Sequence, residues 1–223
     1  MFENELDFAH PNEQGLRLHI AHTPAMRNIV YRLRYRAYTA AGVELQSNDG
    51  YFSDKFDDCP NCVSHVLVQN GTVIGSIRAN RCTGENESVG AQEAYTNEIA
   101  AAIGAGQTYV ESNRFVVAPD FDKRSLVPLK TLFRGIALHA ALIDADWIIT
   151  AVRARHVAFY QRILQMEQLS KPKPYPLLTG EFALMGIHRP TKAESVYKCL
   201  PELKPTDELV RSYGKLVGYQ CVK

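Results

Sequence analysis

Three arginines stand out in this sequence because each lies among apolar residues: Arg34, Arg78 and Arg114. A charged side chain in an apolar environment needs a partner of opposite charge. Asp54, Asp57 and Glu111 are available as partners. The planar fork of arginine also suits the carboxylate of a ligand. We therefore expect an ion-pair network that fixes the loop around Asp54 over a pocket, or else a network that is purely structural.

Glu111 is the only carboxylate in a strand-like segment, Thr108 to Val117. A carboxylate held in position can take a proton from a reacting group. It can equally be a partner of an arginine on the face of a strand. The residues alone leave both interpretations open.

Alternation and helical spacing place these residues on elements. Alternation over 108–117 predicts a strand with Glu111 and Phe115 on one face and Arg114 on the other. Arg34 lies in a helix predicted to begin at Thr23-Pro24, a cap followed by proline, and to end at Gly42. Arg78 lies at the end of a hairpin over 64–79, in which Asn70-Gly71 supplies the turn residues that need positive φ.

The remaining patterns complete one arrangement of strands and helices. They predict strands at 16–21, 147–152 and 181–187, helices at 92–103, 125–143 and 156–168, and an extended proline-rich segment at 171–176. This order predicts an α/β (α+β) fold with a single mixed, mostly antiparallel sheet flanked by helices. We expect one domain over 1–223, with its core at about 16–190 and an unassigned C-terminal tail.

Bulk composition argues against several classes of protein. A net charge of +1 over 223 residues gives no overall attraction to nucleic acid or to a membrane surface. No stretch of about 18 apolar residues occurs, so we expect no transmembrane segment. Met1–His10 is acidic and polar, unlike a signal peptide, and the five cysteines fit free thiols. The expectation is a cytoplasmic protein.

Cys59-Pro-Asn-Cys62 is the one closely spaced pair of cysteines. A redox pair normally opens a helix, whereas this pair precedes a predicted strand. Structural zinc would need two more ligands at short spacing, and no second such pair exists. We expect no metal site and no tightly bound cofactor.

Four short segments carry a resemblance to known enzymes. They are YRLRYRAY at 31–38, SDKFD at 53–57, GSIR at 75–78 and ESNRFVV at 111–117. In this order and spacing they resemble the acyl-homoserine-lactone synthases, and more closely the bacterial N-acyl amino acid synthases, over roughly 16–165. The resemblance implies a GNAT-like acyltransferase fold with a sheet splayed to admit a thioester. It also implies transfer of a fatty acyl group from acyl carrier protein to an amine.

The resemblance assigns roles by position. The substrate-binding residues that it implies are Arg34, Tyr38, Asp54, Asp57, Arg78, Arg114 and Phe115. Glu111 would take the proton of the attacking amine, and Tyr160 would protonate the leaving thiolate. The lactone synthases place a tryptophan a few residues past the position of Tyr38, and the sequence has none there. That departure favours a free amino acid, rather than S-adenosylmethionine, as the acceptor.

The donor is inferred from the segment Ala118–Ser125. GNAT enzymes hold the pyrophosphate of coenzyme A on a glycine-rich turn at this position, and the segment has no glycine. Lys123, Arg124 and Ser125 precede a predicted helix, whose N-terminus can bind a phosphate. A phosphopantetheine arm carries a single phosphate, so acyl carrier protein is the expected partner and acyl-CoA the alternative donor.

Three other functions stay open at this point. The chain can be an acyl-homoserine-lactone synthase that makes an autoinducer, or an N-acetyltransferase of the GNAT type that uses acetyl-CoA. It can also be an inactive relative that binds a lipid or a carrier protein.

Overall fold

One sheet runs through the part of the chain that the computed structural model describes, namely residues 5–6, 15–45, 49–83, 87, 89–122, 125–176 and 178–218. Its strands are β1 (Glu5–Leu6), β2 (Leu16–Ile20), β3 (Cys62–Gln69), β4 (Thr72–Cys82), β5 (Tyr109–Val117), β6 (Trp147–Arg153), β7 (Glu167–Gln168), β8 (Lys173–Tyr175) and β9 (Leu178–His188). Their order is β1-β2-β3-β4-β5-β6-β9-β7, and β8 also pairs with β9. Only β5 and β6 pair in parallel among these strands, which confirms the predicted mixed sheet.

Helices cover both faces of the sheet. They are α1 (Pro24–Ala40), α2 (Gln92–Ala102), α3 (Val127–Leu142), α4 (Val157–Leu164), α5 (Arg189–Cys199) and α6 (Asp207–Val217). Among the described helices, none is long and apolar enough to cross a membrane. On one face α3 approaches β3 closely, because a methyl group on Gly135 would lie 2.6 Å from Cδ2 of His65. On the other face Tyr95 of α2 belongs to an apolar cluster with Ile149 of β6.

Local signals in the sequence account for several boundaries. Thr23 caps α1, since its Oγ1 accepts a hydrogen bond of 3.2 Å from the Met26 amide. Asn70 and Gly71 adopt φ of +49° and +76°, as the predicted hairpin turn requires. The helix predicted over 156–168 is too long, because Gln165 at φ +53° ends it after Leu164 and β7 follows.

The C-terminal segment is part of the fold. Tyr213 of α6 is fully buried, and its Oη lies 2.8 Å from Nε2 of His65 and 2.9 Å from Nδ1 of His139. These contacts fasten α6 to β3 and α3, so the tail that the sequence left unassigned closes one side of the main core.

Candidate active site

A gap opens between the two parallel strands of the sheet. Ladder pairs join β5 and β6 at Tyr109↔Trp147, Val110↔Ile148 and Glu111↔Ile149. Both strands continue to Val117 and Arg153, and no ladder pair joins them over those described residues. Glu111 therefore lies at the apex of a gap with unpaired backbone groups on both sides, which is the splayed sheet that the resemblance implies.

A β-bulge in β5 redirects the arginine beside the gap. Asn113 pairs with Arg78 and Val116 with Ser76, so that Arg114 and Phe115 together oppose the single intervening residue of β4. Arg114 adopts φ +54°, a left-handed conformation that non-glycine residues rarely adopt. The bulge brings Arg114 to the side of the sheet on which Arg78 lies.

Strict alternation along β5 is consequently a wrong prediction beyond Asn113. Arg114 lies with Glu111 instead of opposite it. Phe115, expected beside Glu111, turns toward α3, where its ring centroid lies 5.9 Å from that of Phe133. Phe115 is thereby separated from the arginines and lies on the apolar side of the sheet.

Two aspartates of the loop before β3 hold the three arginines. Asp54 accepts hydrogen bonds from Arg78 at 2.6 and 3.1 Å and from Arg114 at 2.9 and 2.5 Å. Asp57 accepts one from Arg34 at 2.7 Å and lies 3.0 Å from Arg78. Three guanidinium groups face two carboxylates, so these five side chains carry one net positive charge.

The three arginines of this network differ in how deeply they are buried. Arg34 is 0% exposed and Arg78 is 1% exposed, and both are enclosed by protein. Arg114 is 9% exposed and lies over the Phe52 ring, 5.0 Å from its centroid. Arg34 donates to Asp57 and has no exposed surface, whereas Arg114 is the most exposed of the three. That any of these arginines binds the substrate stays a prediction.

The two aspartates remain ionised in this environment. Burial alone would raise the pKa of Asp54, but Arg78 and Arg114 lower that pKa well below its ordinary value. Burial opposes Arg34 and Arg78 in the same way at Asp57, and the pKa of Asp57 is also lowered. The network thus keeps its charges at neutral pH and holds the Asp54 loop in place.

The pKa of Glu111 shifts in the opposite direction from the pKa of Asp54 and of Asp57. It is 0% exposed, and its Oε2 accepts a hydrogen bond of 3.1 Å from the Ala91 amide. Its Oε1 has no partner with hydrogen-bond geometry among the described residues. Nδ2 of the nearby Asn113 donates to Oδ1 of Asn80 at 3.2 Å. Burial raises the pKa of Glu111, although Asn113, Ala91 and the arginines Arg78 and Arg114 act to lower it. A buried carboxyl with a raised pKa and an unused oxygen fits a general base.

Tyr160 and Tyr38 are the two tyrosines that the sequence assigned to the site. Tyr160 on α4 is buried, with its ring 6.1 Å from Phe133, and Tyr38 on α1 packs edge-on against Phe52 at 5.2 Å. Burial, followed by the nearby Tyr38, raises the pKa of Tyr160. The Tyr160 phenol is therefore protonated at neutral pH, as a proton donor to a leaving thiolate must be.

An apolar cavity of about 50 Å³ lies on the α3 face of the sheet. Its lining comes from α3, β6, α4, β9 and α5 and includes Phe133, Ile136, Ile148, Leu164, Met166 and Val196. Ile148 and Ile149 are neighbours on β6 and point to opposite faces. The cavity and the polar groups around Glu111 thus lie on opposite faces of the sheet.

The residues assigned to the donor are only partly described. Lys123 and Arg124 lie outside the described residues. Ser125 precedes α3, and its Oγ accepts a hydrogen bond of 3.3 Å from the Val127 amide. Cys59 and Cys62 are free thiols, and no group of three metal-ligating side chains occurs in the described part of the chain.

Sequence reasoning did not find Tyr175, Gly90 or Asn113 at this site. Oδ1 of Asn113 accepts a hydrogen bond of 2.6 Å from Nε of Arg78, which joins β5 to the network. Tyr175 and Gly90 lie next to Glu111. Tyr175 stands 64 residues after Glu111 in a proline-rich segment, and no spacing pattern links the two.

The family model of the N-acyl amino acid synthase FeeM matches residues 29–188 of the chain. That range contains the arginine–aspartate network, Glu111 and Tyr160. The chain belongs to this family. As a member of the FeeM family it is an N-acyltransferase.

Solved structures agree with this assignment at the level of fold. FeeM, an N-acyl amino acid synthase from uncultured soil microbes, matches with a TM-score of 0.69 and 19% identity over 79% of this chain and 91% of FeeM. The AHL synthase LasI matches with a TM-score of 0.57 and 14% identity over 93% of this chain and 98% of its own. BjaI, a CoA-dependent acyl-homoserine lactone synthase solved with SAM and isopentyl-CoA, matches with a TM-score of 0.58 and 15% identity over 89% of this chain and 97% of its own. Comparison with curated proteins finds no match.

Proposed function

We propose that this FeeM-family protein transfers a fatty acyl group from the thioester of acyl carrier protein to the amine of a free amino acid. The observation that carries the proposal is the position of Glu111 at the apex of the β5–β6 gap. Polar groups for an acceptor lie on one face of the sheet at that point. An apolar cavity for an acyl chain lies on the other.

The reaction needs a base, an electrostatic partner for the oxyanion and a proton for the leaving thiol. Glu111 takes a proton from the ammonium of the acceptor, and the nitrogen lone pair then forms the C–N bond at the thioester carbon. The carbonyl electron pair moves to oxygen, where backbone N–H groups of the unpaired strand edges stabilise the charge. The carbonyl re-forms as the C–S bond breaks, and Tyr160 supplies a proton to sulfur. The second proton that the nitrogen loses then restores the Tyr160 phenol.

Arg114 is our candidate for binding the acceptor's carboxylate. Its Nε and Nη2 are engaged by Asp54. Burial acts most on the pKa of Arg114, and Tyr38 and Tyr175 lie close enough to affect that pKa as well. A guanidinium held in this way recognises a carboxylate without having to reorganise. The absence of a tryptophan after Tyr38 supports an amino acid over S-adenosylmethionine.

The acyl chain would enter the apolar cavity next to Phe133. At about 50 Å³ the cavity is smaller than a long chain, so a long chain must displace part of the lining. Met166 is the lining residue best suited to move, because its side chain is unbranched and has three rotatable bonds. The donor segment 118–125 lacks the glycines expected for coenzyme A, which supports a carrier-bound chain.

The proposal is tested with purified protein and three donor–acceptor combinations. Long-chain acyl carrier protein with a mixture of amino acids should give an N-acyl amino acid, identified by mass spectrometry. Acyl carrier protein with S-adenosylmethionine tests the lactone synthases' reaction through release of methylthioadenosine. Acetyl-CoA with amino acids tests the N-acetyltransferase alternative. Methylthioadenosine release, or efficient turnover with acetyl-CoA alone, would overturn the proposal.

A further inference from the structure

The described structure places a second tyrosine hydroxyl beside Glu111. Tyr175 lies at the end of β8, which pairs with β9 at the edge of β9 away from β6. Its ring stacks on Tyr95 with centroids 6.0 Å apart and packs against Phe182 at 5.3 Å. These contacts fix the Tyr175 ring in a position where its hydroxyl lies near Glu111 of β5.

Gly90 lies beside both the hydroxyl of Tyr175 and the carboxyl group of Glu111. A methyl group on Gly90 would lie 3.3 Å from Oη of Tyr175, and 3.6 and 3.7 Å from Oε2 and Oε1 of Glu111. One small space is thus bounded by a phenol oxygen, both carboxylate oxygens and a residue without a side chain. Oε1 of Glu111 is buried there without a partner among the described residues.

The two stacked tyrosines differ in how their hydroxyl groups are used. The hydroxyl of Tyr95 donates a hydrogen bond of 2.7 Å to the backbone oxygen of Phe182, which is a structural contact. The hydroxyl of Tyr175 makes no hydrogen bond to any described residue, while its ring is fixed by packing. Burial and then the charge of Glu111 raise the pKa of Tyr175, so the group stays a neutral phenol.

We propose that Tyr175 and Glu111 form a two-point site for the acceptor's amine, with Tyr175 as a further catalytic residue. Oη of Tyr175 accepts a hydrogen bond from one N–H of the amine, while Glu111 takes the proton of another. After the proton transfer the neutral amine rotates about its C–N bond, so that its two remaining N–H bonds point at Oη of Tyr175 and at the Glu111 carboxyl and its lone pair points at the thioester carbon in the gap. Gly90 is required because a side chain there would fill the space for the nitrogen. This inference rests on the proposed function, since it assumes an amine acceptor.

The test compares Tyr175→Phe with Tyr95→Phe, a matched loss of one hydroxyl from the same stack. We expect Tyr175→Phe to lower kcat/KM for the amine by about 10- to 100-fold, the effect of losing a hydrogen bond to a charged group. The KM of the acyl donor should stay at the wild-type value. Tyr95→Phe should lose thermal stability and keep its amine kcat/KM within about threefold, because its lost bond is structural.

A second pair of variants probes the same space without touching either tyrosine. Gly90→Ala should lower kcat/KM for the amine and leave the KM of the donor unchanged, because its methyl group would lie 3.3 Å from Oη of Tyr175 and occupy the space for the nitrogen. Gly104→Ala, whose methyl group would meet only the flexible Gln107 side chain at 3.4 Å or more, is the control.

Wild-type-like amine kinetics in Tyr175→Phe, or equal losses in Tyr175→Phe and Tyr95→Phe, would overturn the inference. The assay uses whichever amine the wild-type protein acylates. If that amine is not an amino acid, the proposed function fails, and the Tyr175 to Tyr95 comparison still decides this inference.

Discussion

Replacing Glu111 with glutamine removes the proposed base with little change in shape. The Ala91 amide, which donates to Glu111 at 3.1 Å, can still donate to the carbonyl oxygen of a glutamine. The variant should therefore fold, with an unchanged circular dichroism spectrum. Loss of a positioned base typically costs about 10²–10⁴-fold in rate, and we expect kcat to fall within that range.

The pH profile distinguishes a base from a structural carboxylate. Burial raises the pKa of Glu111, so wild-type kcat/KM should fall on acidification at a higher pH than an exposed glutamate would give. Glu111→Gln should lose this limb and recover part of its rate as the pH rises, because more of the free amine is then unprotonated.

Glu202→Gln is the matched control for the Glu111 experiment. Glu202 pairs with Lys130 at 2.6 Å and its side chain is 36% exposed, so the same change there should leave kcat within about twofold of wild type. If Glu111→Gln keeps more than about a third of wild-type kcat, Glu111 is not the base and the mechanism is wrong.

Two further predictions concern stability. Asp54→Asn removes the carboxylate that Arg78 and Arg114 share, and it leaves Arg78 with Asp57 alone at 3.0 Å. The change should lower the free energy of unfolding by about 3–5 kcal/mol in urea, whereas the exposed Asp144→Asn, at 3.6 Å from Arg189, should cost about 0–1 kcal/mol. A loss below about 1 kcal/mol at Asp54 would refute the network. Burial lowers the pKa of His65 and of His139 to about 3, helped by His139 at the first and by Arg81 at the second. The unfolded chain binds those protons below about pH 6.5, so stability should fall on acidification by up to about 2.7 kcal/mol per pH unit for the two histidines together. Urea unfolding at pH 7 and pH 5.5 checks this, and equal stabilities would contradict it.

Local chemistry made much of the fold predictable. Thr23-Pro24 and Asn70-Gly71 act through hydrogen bonds and φ preferences within a few residues, and both signals predicted the right element. Alternation over 108–117 predicted the strand that holds Glu111. The pairing of apolar-flanked arginines with Asp54 and Asp57 follows from the same argument about buried charge.

The parts that sequence reasoning missed depend on contacts between distant segments. The bulge at Arg114 arises from the register between β4 and β5, and a non-glycine residue at φ +54° carries no sequence signal. The partner of Arg34 is Asp57, which spacing along α1 cannot reveal. Tyr175 reaches Glu111 only through the pairing of β8 with β9.

We expect this FeeM-family protein to join a fatty acyl group to an amino acid at Glu111. Mass spectrometry of lipid extracts from a host that overexpresses the protein tests it most directly, because both substrates are read from one product. We expect a new amide of a fatty acid and a single amino acid. It should be present with the wild-type chain and reduced about 10²-fold or more with Glu111→Gln. An acyl-homoserine lactone in its place, or equal amide from both chains, would contradict it.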